Sequence, residues 1–373
     1  MSELRKIVLI LGNGFDLDLG LKTSYKDFWE SEYCPKDYPA PLIKHLNESW
    51  PDSIDAVKWY DMENELLNYY KLRRLTPDYP DVISSDLMEY VRNFNPYEYA
   101  CRAYTGIDPE MEELVSLGYG KFNELPMWAL IPLQEEFKKS QECRDKSALQ
   151  LIKERLCKYL SSIYKVNQTS NNVSFQVLAY LDEEAKKGNL VNIYTFNYTP
   201  VLLNGSKPDA AIVHYMHGRC SEGKIIIGTR DDKEFSPSYD FLQKSFDPSF
   251  NPPAIVADLQ EADEVVIFGH SIGENDWPYF KAFFKQQTDF TNKHRKDITI
   301  FTRDSVSELQ IKRSLQSMTD GNLSTLFSLN DLQIIKTAEI VEDHEKFLHF
   351  LVKHGKGELV TREFIGKSML SNS

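Results

Sequence analysis

Four short stretches carry side chains able to work on a small polar ligand: GNGFD at 12–16, TFNYT at 195–199, HYMHG at 214–218 and FGHSIGEND at 268–276. A neutral imidazole at His217 could take a proton from water or a hydroxyl. Asn197 could orient that group, and the Asp16 carboxylate could stabilise a developing cation or hold ribose hydroxyls. Gly12, Asn13, Gly14 and Phe15 form a strand-to-helix turn whose two glycines let backbone approach a phosphate, where free N–H groups favour negative charge. Gly218, Gly269, Ser271 and Asp276 complete the candidate binding set, Ser271 for phosphate or ribose and Asp276 for a hydroxyl. Together these types suit a ribosyl ligand. Each also has a plainer reading: the glycines as turn geometry, Asn197 as a turn residue before Pro200, His217 as a satisfied histidine, Asp276 as a helix cap before Pro278. The third glycine of the dinucleotide fingerprint is absent, Leu17 standing in its place.

The elements that must position these residues are apolar runs bounded by polar or glycine residues. KIVLIL, LVNIYTFNYT, AIVHYMHG, KIIIGT, EVVIFG and DITIFTRD read as strands separated by helical segments. That pattern predicts an α/β fold, a Rossmann-like and largely parallel sheet with helices on both faces. In such sheets ligands lie beyond the carboxyl ends of the strands, where the residues named above fall. Helical periodicity runs from Trp59 to Leu75, with Met62, Leu66, Leu67 and Tyr70 on one face. It returns from Ala148, in SFQVLAYLDEEAKKG up to Gly188, and in the closing VEDHEKFLHFLVKH. Thr76 to Lys146, rich in proline and tyrosine, predicts irregular connections and short helices. Residues 1–30 and 190–373 are therefore assigned to the nucleotide-binding domain, and 31–189 to a mostly helical insertion capping the cleft.

The chain has 373 residues, 42% hydrophobic and 12% aromatic, with a formal net charge of −13. No basic stripe is present to displace counterions from a phosphate backbone, which opposes nucleic-acid binding. Lys71-Leu72-Arg73-Arg74 reads as a solvated helix face. Cys34, Cys101, Cys143, Cys157 and Cys220 form no Cys-x-x-Cys pair, which predicts reduced thiols, no metal module and a cytoplasmic protein. Neither a signal segment nor an apolar run of membrane-spanning length is evident.

GNGFDLDLGLKTSYKDF, YDMENEL, TFNYT, HYMHG and FGHSIGENDWPYF, in this order, resemble the AbiH family of bacteriophage abortive-infection proteins. They resemble sirtuin-like NAD-binding folds more distantly. The resemblance implies a cytoplasmic defence protein that binds NAD, as ligand or substrate, and cleaves it to nicotinamide and ADP-ribose. Asn197 and His217 correspond to the catalytic pair of the sirtuin-like proteins, and no metal is required. Thr199 stands where that pattern often has Asp, and the sirtuin zinc module is missing, so deacylation is disfavoured.

Two rivals use the same residues. Gly269-His270-Ser271-Ile272-Gly273 matches the nucleophile elbow of α/β-hydrolases, with Asp320 and His344 following in chain order, which would make Ser271 an esterase nucleophile. The other is a non-catalytic nucleotide-sensing module whose insertion answers a phage-encoded trigger or a partner subunit, self-association included.

Overall fold

A computed structural model describes residues 4–50, 61–75, 127–164, 172–203, 205–292 and 294–352. Among these, six strands form one parallel sheet: β1 (Lys6–Leu11), β2 (Leu190–Thr195), β3 (Ile212–Tyr215), β6 (Glu264–Phe268), β7 (Asp297–Thr302) and β8 (Asp331–Lys336), in the order β3-β2-β1-β6-β7-β8. A separate two-stranded ladder, β4 (Gly218–Arg219) with β5 (Lys224–Ile225), is antiparallel. With that hairpin set aside, the order is that of doubly wound dinucleotide-binding folds, whose switch point lies between β1 and its neighbour β6.

The apolar strands are continuous because both faces are covered. Val8 and Ile10 pack with Leu259 of α7 (Ile255–Glu261), Phe283 of α8 (Trp277–Gln286) and Leu315 of α9 (Ser305–Met318). Ile7, Leu9 and Leu11 point the other way, against Leu181 of α6 (Val173–Lys186) and Phe350 of α10 (His344–Val352). The alternation follows from the two-residue period of a strand. The connection from β1 to β2 holds α1 (Asn13–Asp18), α2 (Tyr25–Trp29), α3 (Pro41–Ser49), α4 (Met62–Leu75) and α5 (Met127–Ile163) ahead of α6. α2 to α5 build a further core around Trp29, Trp50, Leu66 and Ile152, completed by Ile227 and Leu242 from beyond β5.

Several elements differ from the sequence reading. KIIIGT is no strand of the main sheet: Lys224 and Ile225 form the short β5 of the hairpin, Ile226 and Ile227 lie in the connection after it, and burial of all three isoleucines gives the run the look of a core strand. The sixth strand is instead DLQIIK, whose mixed polarity suits an edge. The helix expected from Ala148 starts at Met127 and runs 37 residues, through Pro132 and the stretch read as irregular. The rest of that stretch, 76–126 with Cys101, lies outside the described residues, as does Trp59. Arg73, read as solvated, is half-buried; it donates to Tyr239 Oη at 3.2 Å and to Gln141.

Among the described residues no helix is long and apolar enough to cross a membrane. Cys143, Cys157 and Cys220 are free thiols.

Candidate active site

At the switch point, the turns that leave β1 and β6 lie against each other. The Gly12 N–H donates to Phe268 O at 3.0 Å, the Gly14 N–H to Gly269 O at 2.9 Å and the Phe15 N–H to Gly12 O at 2.9 Å. A Cβ on Gly12 would stand 2.5 Å from His270 Cα, and one on Gly14 2.6 Å from Gly269 Cα. Gly269, at φ +62°, would place a Cβ 2.4 Å from the Gly14 carbonyl carbon. These glycines are thus required by contact between two turns. The Phe15 ring lies in the core, edge-on to Phe268 at 5.5 Å, and Asn13 accepts a hydrogen bond from Thr23 Oγ1 at 2.6 Å.

Asp16, one helical step further on, is buried beside the end of β2. Thr199 Oγ1 donates to its Oδ2 at 2.5 Å, and Asn197 Nδ2 donates to Gly12 O at 3.0 Å. Burial pushes the Asp16 carboxyl up to about 7, against the hydrogen bonds from Thr199 and Asn197 that favour its ionised form. Both protonation states are therefore populated near neutral pH.

The ends of β3 and β6 supply a second cluster. His270 Nδ1 accepts from the Ile272 N–H at 2.9 Å, so its proton sits on Nε2, 3.3 Å from Asp276 Oδ2. Asp276 Oδ1 is 3.1 Å from Lys244 Nζ and 3.9 Å from His217 Nε2. Lys244 Nζ also lies 2.8 Å from Glu63 Oε1, on α4. The cluster thus joins α4 to the sheet edge. Burial would raise Asp276, but Lys244 and His270 overcome it and hold the carboxyl well below its ordinary range. Burial pushes Glu63 up to about 7 despite Lys244.

His217 is 3% exposed, and its Nε2 has no hydrogen-bond partner. Burial first, then the Lys244 ammonium, lowers it to about 3, so the ring is neutral at physiological pH and offers a lone pair. Phe196 packs edge-on against His217 at 5.2 Å and His270 at 4.4 Å, closing the cluster with an apolar wall. Above it the Tyr25 hydroxyl lies 3.3 Å from that of Tyr198, which donates onward to Ile226 O at 3.0 Å.

The structure therefore gathers Asp16 with Asn197, and His217 with Asp276, at one edge of the sheet. Ser271 is exposed on the turn after β6. Gly218, at φ +74°, starts the small hairpin; a Cβ there would meet Lys224 O at 2.2 Å. The esterase triad is not assembled. α9 carries the chain from the carboxyl end of β7 back to the opposite edge, where exposed Asp320 pairs with Lys285 at 2.8 Å, and the left-handed residue of the elbow is Ile272, not Ser271. His214 stacks on Tyr194 at 4.7 Å, away from the cluster.

Glu63, Lys244 and the Thr199 contact to Asp16 were not legible as site residues. Glu63 does fall inside the YDMENEL stretch, so an acidic residue in that motif was an available signal. Lys244, in LQKSF, carried none. Among the described residues no group of three or more His, Cys, Asp or Glu is placed to hold a metal ion.

A family model described as bacteriophage abortive infection AbiH matches residues 8–296. No curated protein and no solved structure matches the chain. The matched span takes in the switch point, α2 to α5 and both polar clusters, and the chain belongs to the AbiH family of bacteriophage abortive infection proteins.

Proposed function

We propose that this chain acts in abortive infection by binding an NAD-like dinucleotide at the carboxyl edge of the sheet and hydrolysing it to nicotinamide and ADP-ribose. The observation that carries the reading is the buried, unpartnered Nε2 of neutral His217, set at the switch-point edge beside Asp276 and near the Asp16–Asn197–Thr199 group. A buried polar nitrogen without a hydrogen-bond partner costs free energy unless a ligand or water supplies one.

The chemistry suits these groups. The bond between the ribose carbon and the ring nitrogen breaks with its electron pair going to nicotinamide, which leaves neutral. The oxocarbenium centre that remains reacts with even a weakly activated water. As the new carbon–oxygen bond forms, the proton of that water passes to His217 Nε2. A base as weak as this imidazole suffices, because the electrophile is strong. Ionised Asp16, held by Thr199 and Asn197, supplies negative charge as the cation develops. With the Gly12 and Gly14 N–H groups taken by backbone, side chains at this edge must do the gripping.

Cells carrying the chain would be infected with phage and their NAD followed by chromatography, beside cells carrying His217→Ala at equal protein level. NAD is expected to fall on infection with the wild-type chain only. Protection from phage with NAD unchanged would overturn hydrolysis and leave nucleotide sensing.

A further inference from the structure

Beside the edge strand β3 lies an open cavity of about 390 Å³, lined in part by Val201, Lys207, Pro208, Val213, Tyr215 and Arg219. It adjoins the candidate active site along two paths of chain. Gly218, which also lines it, directly follows His217, and Val201 closely follows Thr199, the donor to Asp16. Its floor is built: the Val201 N–H donates to Tyr215 Oη at 3.2 Å, and the Arg219 guanidinium sits 5.1 Å above the Tyr215 ring.

The charges here run against those of the whole chain. Arg219 pairs with exposed Glu222, and Lys224 and Lys207 stand close enough to act on the same carboxylate. Two cations, Lys207 and Arg219, therefore line the cavity with the anion Glu222, and Lys224 stands nearby, in a protein of net charge −13. The catalytic edge is the reverse, with Asp61, Glu63 and Asp276 around the Lys244 ammonium and the Asp16 carboxyl buried beside Thr199 and Asn197. A phosphate would be repelled there, and the glycine turn has spent the Gly12 and Gly14 N–H groups on Phe268 and Gly269.

We infer that the cavity beside β3 holds the phosphate-bearing half of a nucleotide, with Lys207 and Arg219 as its cationic partners and the apolar wall of Val201, Val213 and Pro208 against its base. The placement of the scissile end at His217 rests on the proposed hydrolysis; the anion site itself does not.

The test is calorimetric titration of ADP into the full chain, beside Lys207→Ala, Arg219→Ala and the control Lys233→Ala, an exposed lysine that does not line the cavity. ADP is expected to bind the wild type, to lose about tenfold in affinity in each cavity variant, as loss of a charge-assisted hydrogen bond implies, and to bind the control unchanged. Thermal melts establish that the variants are folded, and Arg219→Lys should restore part of the affinity. Failure of ADP to bind the wild type, or equal binding by all variants, would overturn the inference. If ADP binds in this pattern but NAD is never cleaved, the cavity stands and hydrolysis falls. If NAD is cleaved with the same KM in Lys207→Ala and Arg219→Ala, hydrolysis stands and the cavity assignment falls.

Discussion

The glycine turn at the switch point and the polar clusters beside it occupy the same sheet edge and are organised in opposite ways. In the turn, the N–H groups of Gly12, Gly14 and Phe15 have backbone acceptors, and the space a side chain would fill holds other backbone. In the clusters, Lys244, His217 and Asp16 are buried, Glu63 and Asp276 are half-buried, and the His217 Nε2 has no hydrogen-bond partner. The first arrangement is what a structural joint requires. The second is costly to bury, and a ligand is what would compensate it. The difference teaches that a glycine pair after a first strand can serve the contact between two turns, while chemistry resides in side chains nearby.

Lys244→Met breaks the costly region most severely, since it leaves the half-buried carboxylates of Glu63 and Asp276 without their cation. A loss of about 3–5 kcal/mol in chemical denaturation is expected. Gly269→Ala breaks the joint, because a Cβ at φ +62° meets the backbone of Gly14 and Phe15 at 2.4 Å. The expected loss in the same assay is about 3 kcal/mol. Gly20→Ala is the matching control: φ is +81° but nothing lies within 4 Å of the added carbon. Only the left-handed backbone then opposes it, at about 1 kcal/mol.

Asp16 and His217 should also answer pH with opposite sign. Asp16 rises from 3.8 to about 7 on folding, so the folded chain keeps a proton that the unfolded chain has released. Its contribution is most favourable below pH 4 and is lost as pH rises towards 7; Asp16→Asn should gain about 2 kcal/mol relative to wild type at pH 8 and little at pH 4. His217 falls from 6.5 to about 3, so its contribution is present above pH 6.5 and lost as pH falls. His217→Gln should reduce the acid sensitivity of the melting temperature. A shared sign for both variants would contradict the burial assigned to one of them.

The long apolar strands were legible because burial on both faces leaves a continuous run, as in KIVLIL and EVVIF. The same rule misled at KIIIGT, where Ile225 ends a two-residue hairpin strand and Ile226 and Ile227 lie in the connection after it, and it passed over DLQIIK, half-polar at the sheet edge. Asp16, Asn197, His217 and Asp276 were visible as polar residues at strand ends. Lys244 and Glu63 were not, since a charge in a loop and a charge on a helix face look solvated until tertiary packing brings them together. Phe15 shows the converse: its neighbours suggested a ligand, while its ring belongs to the core.

The most direct measurement is nicotinamide release from NAD by the purified chain, followed by chromatography alongside His217→Ala, with melts to show both are folded. Release of nicotinamide and ADP-ribose in equal amounts by the wild type, with kcat reduced about a hundredfold or more in the variant, is the predicted result. Absence of release from the wild type, or release unchanged in His217→Ala, would contradict the catalytic role placed on that unpartnered nitrogen.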